Sequence, residues 1–271
     1  MTVKLQTGKT IKIMSDLEKW YFKKTKILYL NENYEECIKF CDKALSFDNF
    51  LQKPWFSYRY ALFLENSGKI NQAIDILKLL SVKKHEWFVQ YEIASLFYKL
   101  NDPDNSLIWC AESALNNTFY EKKWKLFLLM AKIFNLRSDT ENAKDHLSFC
   151  INLRIINNWS LPDEVTELAK SLNISIEKNI IAIEKLKLVW NKILDKKRVK
   201  SKGVIATIMA HGRSGFIKTH DKKNYYFDIK NIINLRGNSC LEGKNVEFFI
   251  ENGFDRKKNK ESLQAVMINI I

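Results

Sequence analysis

The sequence is poor in the residues that interrupt helices. It has three prolines and eight glycines in 271 residues, and six of those glycines lie at or after Gly203. Because glycine and proline mark turns and helix ends, their scarcity favours α-helix from the N-terminus to about residue 200. The remainder breaks into short runs with the alternating pattern of β-strands. The expected fold class is therefore multidomain α + β.

Signals for disulfides, secretion and membrane insertion are also missing. The five cysteines, Cys37, Cys41, Cys110, Cys150 and Cys240, make an odd number without a paired framework, and the first four are expected at buried helix positions. No apolar run approaches the roughly 20 residues of a membrane span. The N-terminal stretch MTVKLQTGKTIKIM lacks the apolar core of a signal peptide. We therefore expect a cytoplasmic protein with no membrane contact.

Catalytic and metal-binding motifs are absent as well. There is no Gly-rich phosphate loop, no HExxH and no CxxC pair, and the four histidines lack ligand spacing. No nucleophile is accompanied by an evident base. The sequence therefore predicts no enzyme, no catalytic residue, no metal site and no cofactor.

Positive charge is present in excess, and it is unevenly placed. The formal net charge is +13; residues 196–271 carry 16 Lys and Arg against 7 Asp and Glu, and residues 1–195 carry 28 against 24. A basic C-terminal part is typical of nucleic-acid binding. A solubilising basic surface would give the same balance, so charge alone leaves both interpretations open.

A repeated pattern covers residues 15–154. The segment NYEECIKFCDKALSFDN (33–49) recurs as KINQAIDILKLLS, DNSLIWCAESALNN and DTENAKDHLSFCINL, with a small or apolar anchor at Cys37, Ala73, Leu107 and Ala143. Small residues recur twelve positions earlier, at Thr25, Ala61, Ser95 and Ala131. The alignment of the third repeat could be shifted by one residue. The pattern resembles the tetratricopeptide repeat (TPR), whose helical hairpins repeat every 34 residues and stack into a solenoid.

The TPR resemblance implies a concave groove that binds a protein or peptide partner. Its groove positions fall here on Glu65 and Glu92, and on the following residues that we take as the partner site: Lys19, Lys26, Trp55, Tyr58, Lys99, Lys125 and Lys132. The mixture of lysines and aromatics suits an acidic or partly apolar peptide. The identity of that peptide stays open.

Residues 155–201 are expected to form capping helices and a basic linker. Ser160 and Pro162 offer a helix start, and an apolar stripe that includes Leu186 and Trp190 follows. The run DKKRVKSK, which includes Lys197 and Arg198, ends this segment. It is either a solvated helix end or a stretch that contacts phosphate.

Residues 202–271 contain five strand candidates: 203–209, 214–219, 224–228, 244–251 and 263–270. Gly215, Phe216 and Ile217 match the end of the first ribonucleoprotein motif of the cold-shock domain, and Tyr225, Tyr226 and Phe227 stand in its second. The segment therefore resembles that domain, a five-stranded OB-type barrel that binds single-stranded nucleic acid. Tyr225 and Phe227 are expected to point inward.

The expected binding face is depleted relative to the family. Its six stacking positions fall on Thr207, Ser214, Phe216, Tyr226, Asp228 and Ile229, and only Phe216 and Tyr226 are aromatic. Because each stacked base contributes roughly 1–3 kcal/mol, we expect weak binding, and the charge of Asp228 should repel phosphate. Electrostatic contacts are expected from His211 and from Arg213, Lys202, Lys218, Lys222, Lys223 and Lys230.

The sequence thus favours a non-enzymatic adaptor, with a partner protein in the solenoid and single-stranded RNA or DNA on the barrel. Two alternatives stay open: a pure protein-interaction scaffold, and a regulatory subunit of a larger nuclease or NTPase system. The oligomeric state is not predicted.

Overall fold

The computed structural model of the chain describes residues 2–4, 10–116, 118–176, 182–196, 199–235, 240–255 and 260–271. Of the basic linker, Lys197 and Arg198 lie outside these ranges. The described residues divide into two compact units, 1–190 and 191–271. A short antiparallel hairpin, β1 (Thr2–Lys4) and β2 (Thr10–Lys12), precedes the helices.

The first unit is built from helices, most of which pack against the next helix in the sequence. Their bounds are α1 (Asp16–Leu30), α2 (Tyr34–Ser46), α3 (Lys53–Asn66), α4 (Ile70–Lys83), α5 (Trp87–Lys99), α6 (Pro103–Leu115), α7 (Trp124–Leu136), α8 (Thr140–Ile156), α9 (Asp163–Ser171) and α10 (Ile183–Asp195). A 3₁₀ turn, Tyr120–Lys123, leads into α7. The first eight helices form four hairpins, and the expected TPR-like solenoid is confirmed.

The turn inside each hairpin has a common construction. The residue before the second helix's N-cap is left-handed in all four hairpins, with φ between 55° and 74°: Glu32, Gly68, Asn101 and Ser138. The N-caps that follow are Asn33, Lys69, Asp102 and Asp139. Three of them accept a backbone N–H three residues on, as the side chains of Asn and Asp do at helix starts. The hairpin bend is therefore fixed locally.

The third hairpin shows the one-residue slip. In the first hairpin, Cys37 lies four residues after its N-cap, and its Sγ donates to the carbonyl of Thr25 at 3.2 Å. In the third, Ser106 holds the same place, and its Oγ donates to the carbonyl of Ala94 at 2.7 Å. The anchor is thus Ser106 rather than Leu107, because helix register follows the N-cap at Asp102.

The end of the first unit is covered by α10. The Trp190 side chain is fully buried and lies parallel to Phe127, with ring centroids 5.7 Å apart. Lys185 Nζ lies 3.0 Å from Glu141 and 2.6 Å from Asp145, both on α8. The buried Trp190 ring supplies the apolar cover that the end of a solenoid requires.

The second unit contains a closed five-stranded barrel. Its strands are β3 (Val199–Ile208), β4 (Ser214–Thr219), β5 (Asn224–Asp228), β6 (Asn245–Asp255) and β7 (Lys260–Ile270), in the order β3-β4-β5-β7-β6 around the barrel. All neighbouring pairs are antiparallel except β5 and β7. The predicted bounds of β4 and β5 are confirmed. Tyr225 and Phe227 point into the core, as expected.

Candidate functional site

Two exposed aromatic rings lie side by side on the outer face of the barrel. Phe216 on β4 pairs directly with Tyr226 on β5, and their ring centroids are 5.9 Å apart at 72°. Each residue is 37% exposed. On the other side of β4, Phe216 pairs with Thr207 of β3. Alternation along the strands places these side chains outward and their neighbours in the core, so an apolar surface faces solvent in the middle of the β4–β5 sheet.

Asp228 orients Tyr226. The Tyr226 hydroxyl donates to Asp228 Oδ1 at 3.0 Å, and Lys230 Nζ lies 3.5 Å from Asp228 Oδ2. The carboxylate was expected to act as a free negative charge on the binding face. Instead it is partly compensated by Lys230 and accepts the hydrogen bond of the Tyr226 phenol. Tyr226 and Asp228 lie two residues apart on β5, so alternation along the strand places both side chains on one face.

The predicted cations fall into two groups. Lys202 Nζ lies 3.0 Å from Glu247, which Lys200 also contacts at 2.7 Å, and Lys223 Nζ lies 2.8 Å from Asp221. Hydrogen bonds from Lys223 and Thr219 lower the pKa of the Asp221 carboxyl to about 2. Among the described residues, no ion pair involves the three others, which are all exposed: Arg213, Lys218 and Lys222.

The β3–β4 loop is shaped by His211. Its Nδ1 accepts the backbone N–H of Arg213 at 3.1 Å, and Ser214 Oγ lies 3.5 Å from Nε2. Ser214 is only 1% exposed, and Ile229 packs against the barrel core. These two of the six expected stacking positions therefore point away from the surface. His211 itself is exposed beside Arg213.

In the solenoid, the predicted groove residues of α3 and α5 meet. The indole of Trp55 stacks on Phe88 with centroids 5.7 Å apart, and the Tyr58 hydroxyl donates to Glu92 Oε1 at 3.3 Å. Lys99 Nζ lies 2.5 Å from Glu65 Oε1. Burial and nearby charges raise the pKa of Glu92 to about 7, burial being the larger cause. First helices of successive hairpins thus share one polar and aromatic surface.

The other predicted groove lysines are distributed along the same layer of helices. Lys19 Nζ lies 2.8 Å from Asp16, and Lys132 Nζ lies 2.7 Å from Glu164 on α9. Lys26 and Lys125 are exposed, and Lys125 Nζ lies 5.6 Å from the centroid of the Trp124 ring. Three of the five predicted groove lysines are therefore paired with carboxylates.

Arg59 makes a contact between the first two repeats that we did not predict from the sequence. Its guanidinium lies 4.1 Å from the Phe22 ring centroid and donates to the carbonyl of Phe22 at 2.8 Å and to Thr25 Oγ1 at 2.7 Å. Arg59 and Thr25 are separated by one repeat length of 34 residues. That spacing was the available signal. The contact joins α3 to α1 and fixes the first two hairpins together.

Comparison with known proteins supports the solenoid. A protein-family model described as a domain of unknown function (DUF7017) matches residues 54–180. The structure of MamA, from residue 41 to its end, of Desulfovibrio magneticus RS-1 aligns with a TM-score of 0.50 at 11% identity, over 68% of this chain and 94% of that one. At this identity the likeness concerns the fold. No curated protein sequence matches the chain.

Two further solved structures align at lower scores. Bacillus thuringiensis PlcR, in complex with the peptide PapR7 and DNA, gives a TM-score of 0.48 at 14% identity over 68% of this chain and 71% of that one. Pseudomonas aeruginosa PilF gives 0.46 at 17% identity over 57% and 66%.

The part of the chain that the structure describes lacks two other kinds of site. Within the described ranges, no helix is both long and apolar enough to cross a membrane. The same ranges contain no cluster of three His, Cys, Asp or Glu side chains that could hold a metal ion.

Proposed function

We propose that this protein is a non-enzymatic adaptor. Its TPR-like solenoid docks a protein or peptide partner, and its barrel contacts single-stranded RNA or DNA weakly and largely through electrostatic attraction. Tethering a weak barrel to a docked partner raises its effective concentration near the target. The observation that carries the proposal is the exposed Phe216–Tyr226 pair on adjacent strands.

The strand order supports an OB-type, cold-shock-like barrel. Three antiparallel strands, β3 to β5, are followed by a parallel contact of β5 with β7, and β6 closes the barrel against β3. OB folds bind oligonucleotides on the face of their second and third strands. In this barrel those strands are β4 and β5, and they carry Phe216 and Tyr226 outward.

The surroundings of the aromatic pair suit a polyanion. Arg213 lies at the start of β4, Lys218 lies two residues beyond Phe216, and Lys222 lies in the β4–β5 turn. Bases can stack on the exposed rings, while these cations contact the phosphates and make the affinity dependent on salt. Because only two rings are present, the affinity should be modest.

The test is a fluorescence-anisotropy titration of the full chain with a labelled single-stranded oligothymidylate and a matched oligouridylate at low salt. Replacing both Phe216 and Tyr226 by Ala should weaken binding at least tenfold, since each stacked base contributes about 1–3 kcal/mol. Leu263→Ala, at an exposed apolar position of β7, is the control and should bind normally. Absence of binding, or binding that the double variant retains, contradicts the proposal.

A protein-docking barrel is the second candidate. Val204 is also 37% exposed and pairs with Lys218 of β4, so the barrel exposes a further apolar side chain besides the two aromatic rings. If partners captured by the full chain survive nuclease treatment and are lost only when Phe216 and Tyr226 are replaced, this function is favoured over nucleic-acid binding.

A further inference from the structure

The middle of the solenoid groove contains a carboxyl group that has no ion-pair partner among the described residues. Glu92 on α5 is partly buried and accepts a hydrogen bond from the hydroxyl of Tyr58 on α3. The neighbouring carboxylate, Glu65, is contacted by Lys99 at 2.5 Å. Glu92 therefore faces a neutral hydroxyl and an acidic group whose charge is already compensated.

Among the described residues, no lysine, arginine or histidine nitrogen forms an ion pair within 4.0 Å of the Glu92 carboxyl group. Burial, and secondly the Glu65 carboxylate, raise its pKa to about 7. The Tyr58 hydrogen bond and the more distant charges of Lys99 and Lys125 oppose this shift without cancelling it. A carboxyl group in this condition has lost hydration without gaining an opposite charge. A ligand that brings a cation would supply the missing interaction.

Three of the five groove lysines are already paired and do not favour the acidic peptide that the sequence suggested. Lys19, Lys99 and Lys132 are each within 2.8 Å of a carboxylate oxygen. At the centre of the groove, where Glu65 and Glu92 lie, an acidic ligand would have to displace Lys99 from Glu65. Lys26 and Lys125 are exposed and have no ion pair among the described residues, so they are the groove lysines that an acidic ligand could contact directly. Charge complementarity at the centre of the groove is thus better for a cation than for an anion.

Aromatic rings next to Glu92 provide a place for an aliphatic stem. Phe88 lies one helical turn before Glu92, and its ring centroid is 5.4 Å from that of Tyr58 and 5.7 Å from that of Trp55. All three are partly exposed. Lysine and arginine side chains lay their apolar stems along such surfaces while the charged end reaches a polar group.

We infer that the centre of the groove binds a lysine or arginine side chain of an extended partner peptide. Glu92 is the anionic contact, Tyr58 holds its carboxyl group, and Trp55 and Phe88 support the stem. Arginine fits best, because its planar guanidinium can both stack on a ring and form two hydrogen bonds to a carboxylate. The inference rests on the proposed docking of a peptide in the solenoid.

The test uses the full chain on an array of acetylated, amidated decapeptide mixtures with random flanks and one fixed central residue. That residue is arginine, its neutral isostere citrulline, leucine or glutamate. Arginine mixtures should bind at least about tenfold more tightly than citrulline mixtures, as expected for a charge-assisted hydrogen bond. Glu92→Gln should abolish this preference while leaving the binding of citrulline mixtures unchanged.

Glu35→Gln is the matched control. It removes the same charge from an exposed position on α2, a second helix of a hairpin, and should keep the arginine preference. Equal binding of arginine and citrulline mixtures, or strongest binding of glutamate mixtures, overturns the inference and leaves peptide docking intact. If no mixture binds, peptide docking in the groove fails and the inference fails with it. Thermal melting confirms that both variants are folded.

Discussion

The indole N–H of Trp190 donates a hydrogen bond of 2.9 Å to Nε2 of His146 in the interior of the solenoid. The other ring nitrogen, Nδ1, lies 2.7 Å from the carbonyl oxygen of Asn142 and therefore carries the proton. Because both nitrogens are engaged in this way, His146 must be neutral for the contact between α8 and α10 to form. The end of the solenoid is thus coupled to pH.

The first prediction concerns acid stability. Burial lowers the pKa of His146 from 6.5 to about 4. At pH values between about 4 and 6.5, His146 is protonated in the unfolded chain and neutral in the folded chain. The stability contributed by neutral His146 is therefore lost as the pH falls from about 6.5 to 4. The shift corresponds to about 3 kcal/mol. Urea unfolding at several pH values measures it, and His146→Phe should be less stable at pH 7 with a flatter pH profile. An unchanged profile in that variant would contradict the assignment.

A second prediction concerns a buried lysine. Lys123 is fully buried, and its Nζ donates to the carbonyls of Ser113, Ala114 and Asn116 at the end of α6. Burial lowers its pKa to about 8, so the ammonium form persists at neutral pH. Lys123→Met leaves three carbonyls without their donor and should cost about 2–4 kcal/mol. The neighbouring Lys122 is exposed, and Lys122→Met should change the unfolding free energy by less than about 0.5 kcal/mol.

A third prediction separates free from paired cations on the barrel. Each phosphate contact to single-stranded nucleic acid contributes about 0.7 to the slope of log affinity against log salt. Lys218→Gln should lower this slope by about that amount, because Lys218 is available for phosphate. Lys223→Gln should leave the slope nearly unchanged, since Lys223 is engaged with Asp221. Anisotropy titrations at four salt concentrations measure both, and equal slopes in the two variants would contradict the distinction.

A fourth prediction concerns close backbone approach in the barrel. A Cβ on Gly215 would lie 2.3 Å from the carbonyl oxygen of Thr207, beside the irregularity in β3 between Ile205 and Thr207. Gly215→Ala should therefore destabilise the barrel by about 1–3 kcal/mol, the range for overpacked interiors. Hydrogen exchange of the β4 amides reports it. Gly212→Ala is a useful contrast: nothing would touch its Cβ, and its cost comes only from a left-handed φ of 68°.

Local sequence signals predicted the scaffold well, because they act over a few residues. The N-caps and the twelve-residue spacing of small residues indicate the hairpins. Alternation around Phe216 and Tyr226 indicates strands β4 and β5. The sequence left the anchor of the third repeat uncertain by one residue. The N-cap at Asp102 decides for Ser106, because the anchor lies four residues after the N-cap in each hairpin.

Contacts between repeats could be predicted only as a spacing, since Tyr58 and Glu92, and also Glu65 and Lys99, are one repeat length of 34 residues apart. The pairing of Lys99 with Glu65 and of Tyr58 with Glu92 depends on how far one hairpin is rotated on the next. That rotation decides which groove lysines are paired with carboxylates. Asp228 differs from these cases, because it lies two residues from Tyr226 on the same strand and alternation along that strand predicts that both side chains share a face.

The five cysteines have a practical consequence for solution experiments. Cys37, Cys41, Cys110 and Cys150 are completely inaccessible to solvent, and burial raises the pKa of the Cys150 thiol to about 12. Cys240 alone is exposed, and it belongs to the barrel unit. A maleimide dye added to the native protein should therefore attach at one position without any engineered substitution. Labelling with more than one dye per chain would show that the solenoid opens and exposes a buried cysteine.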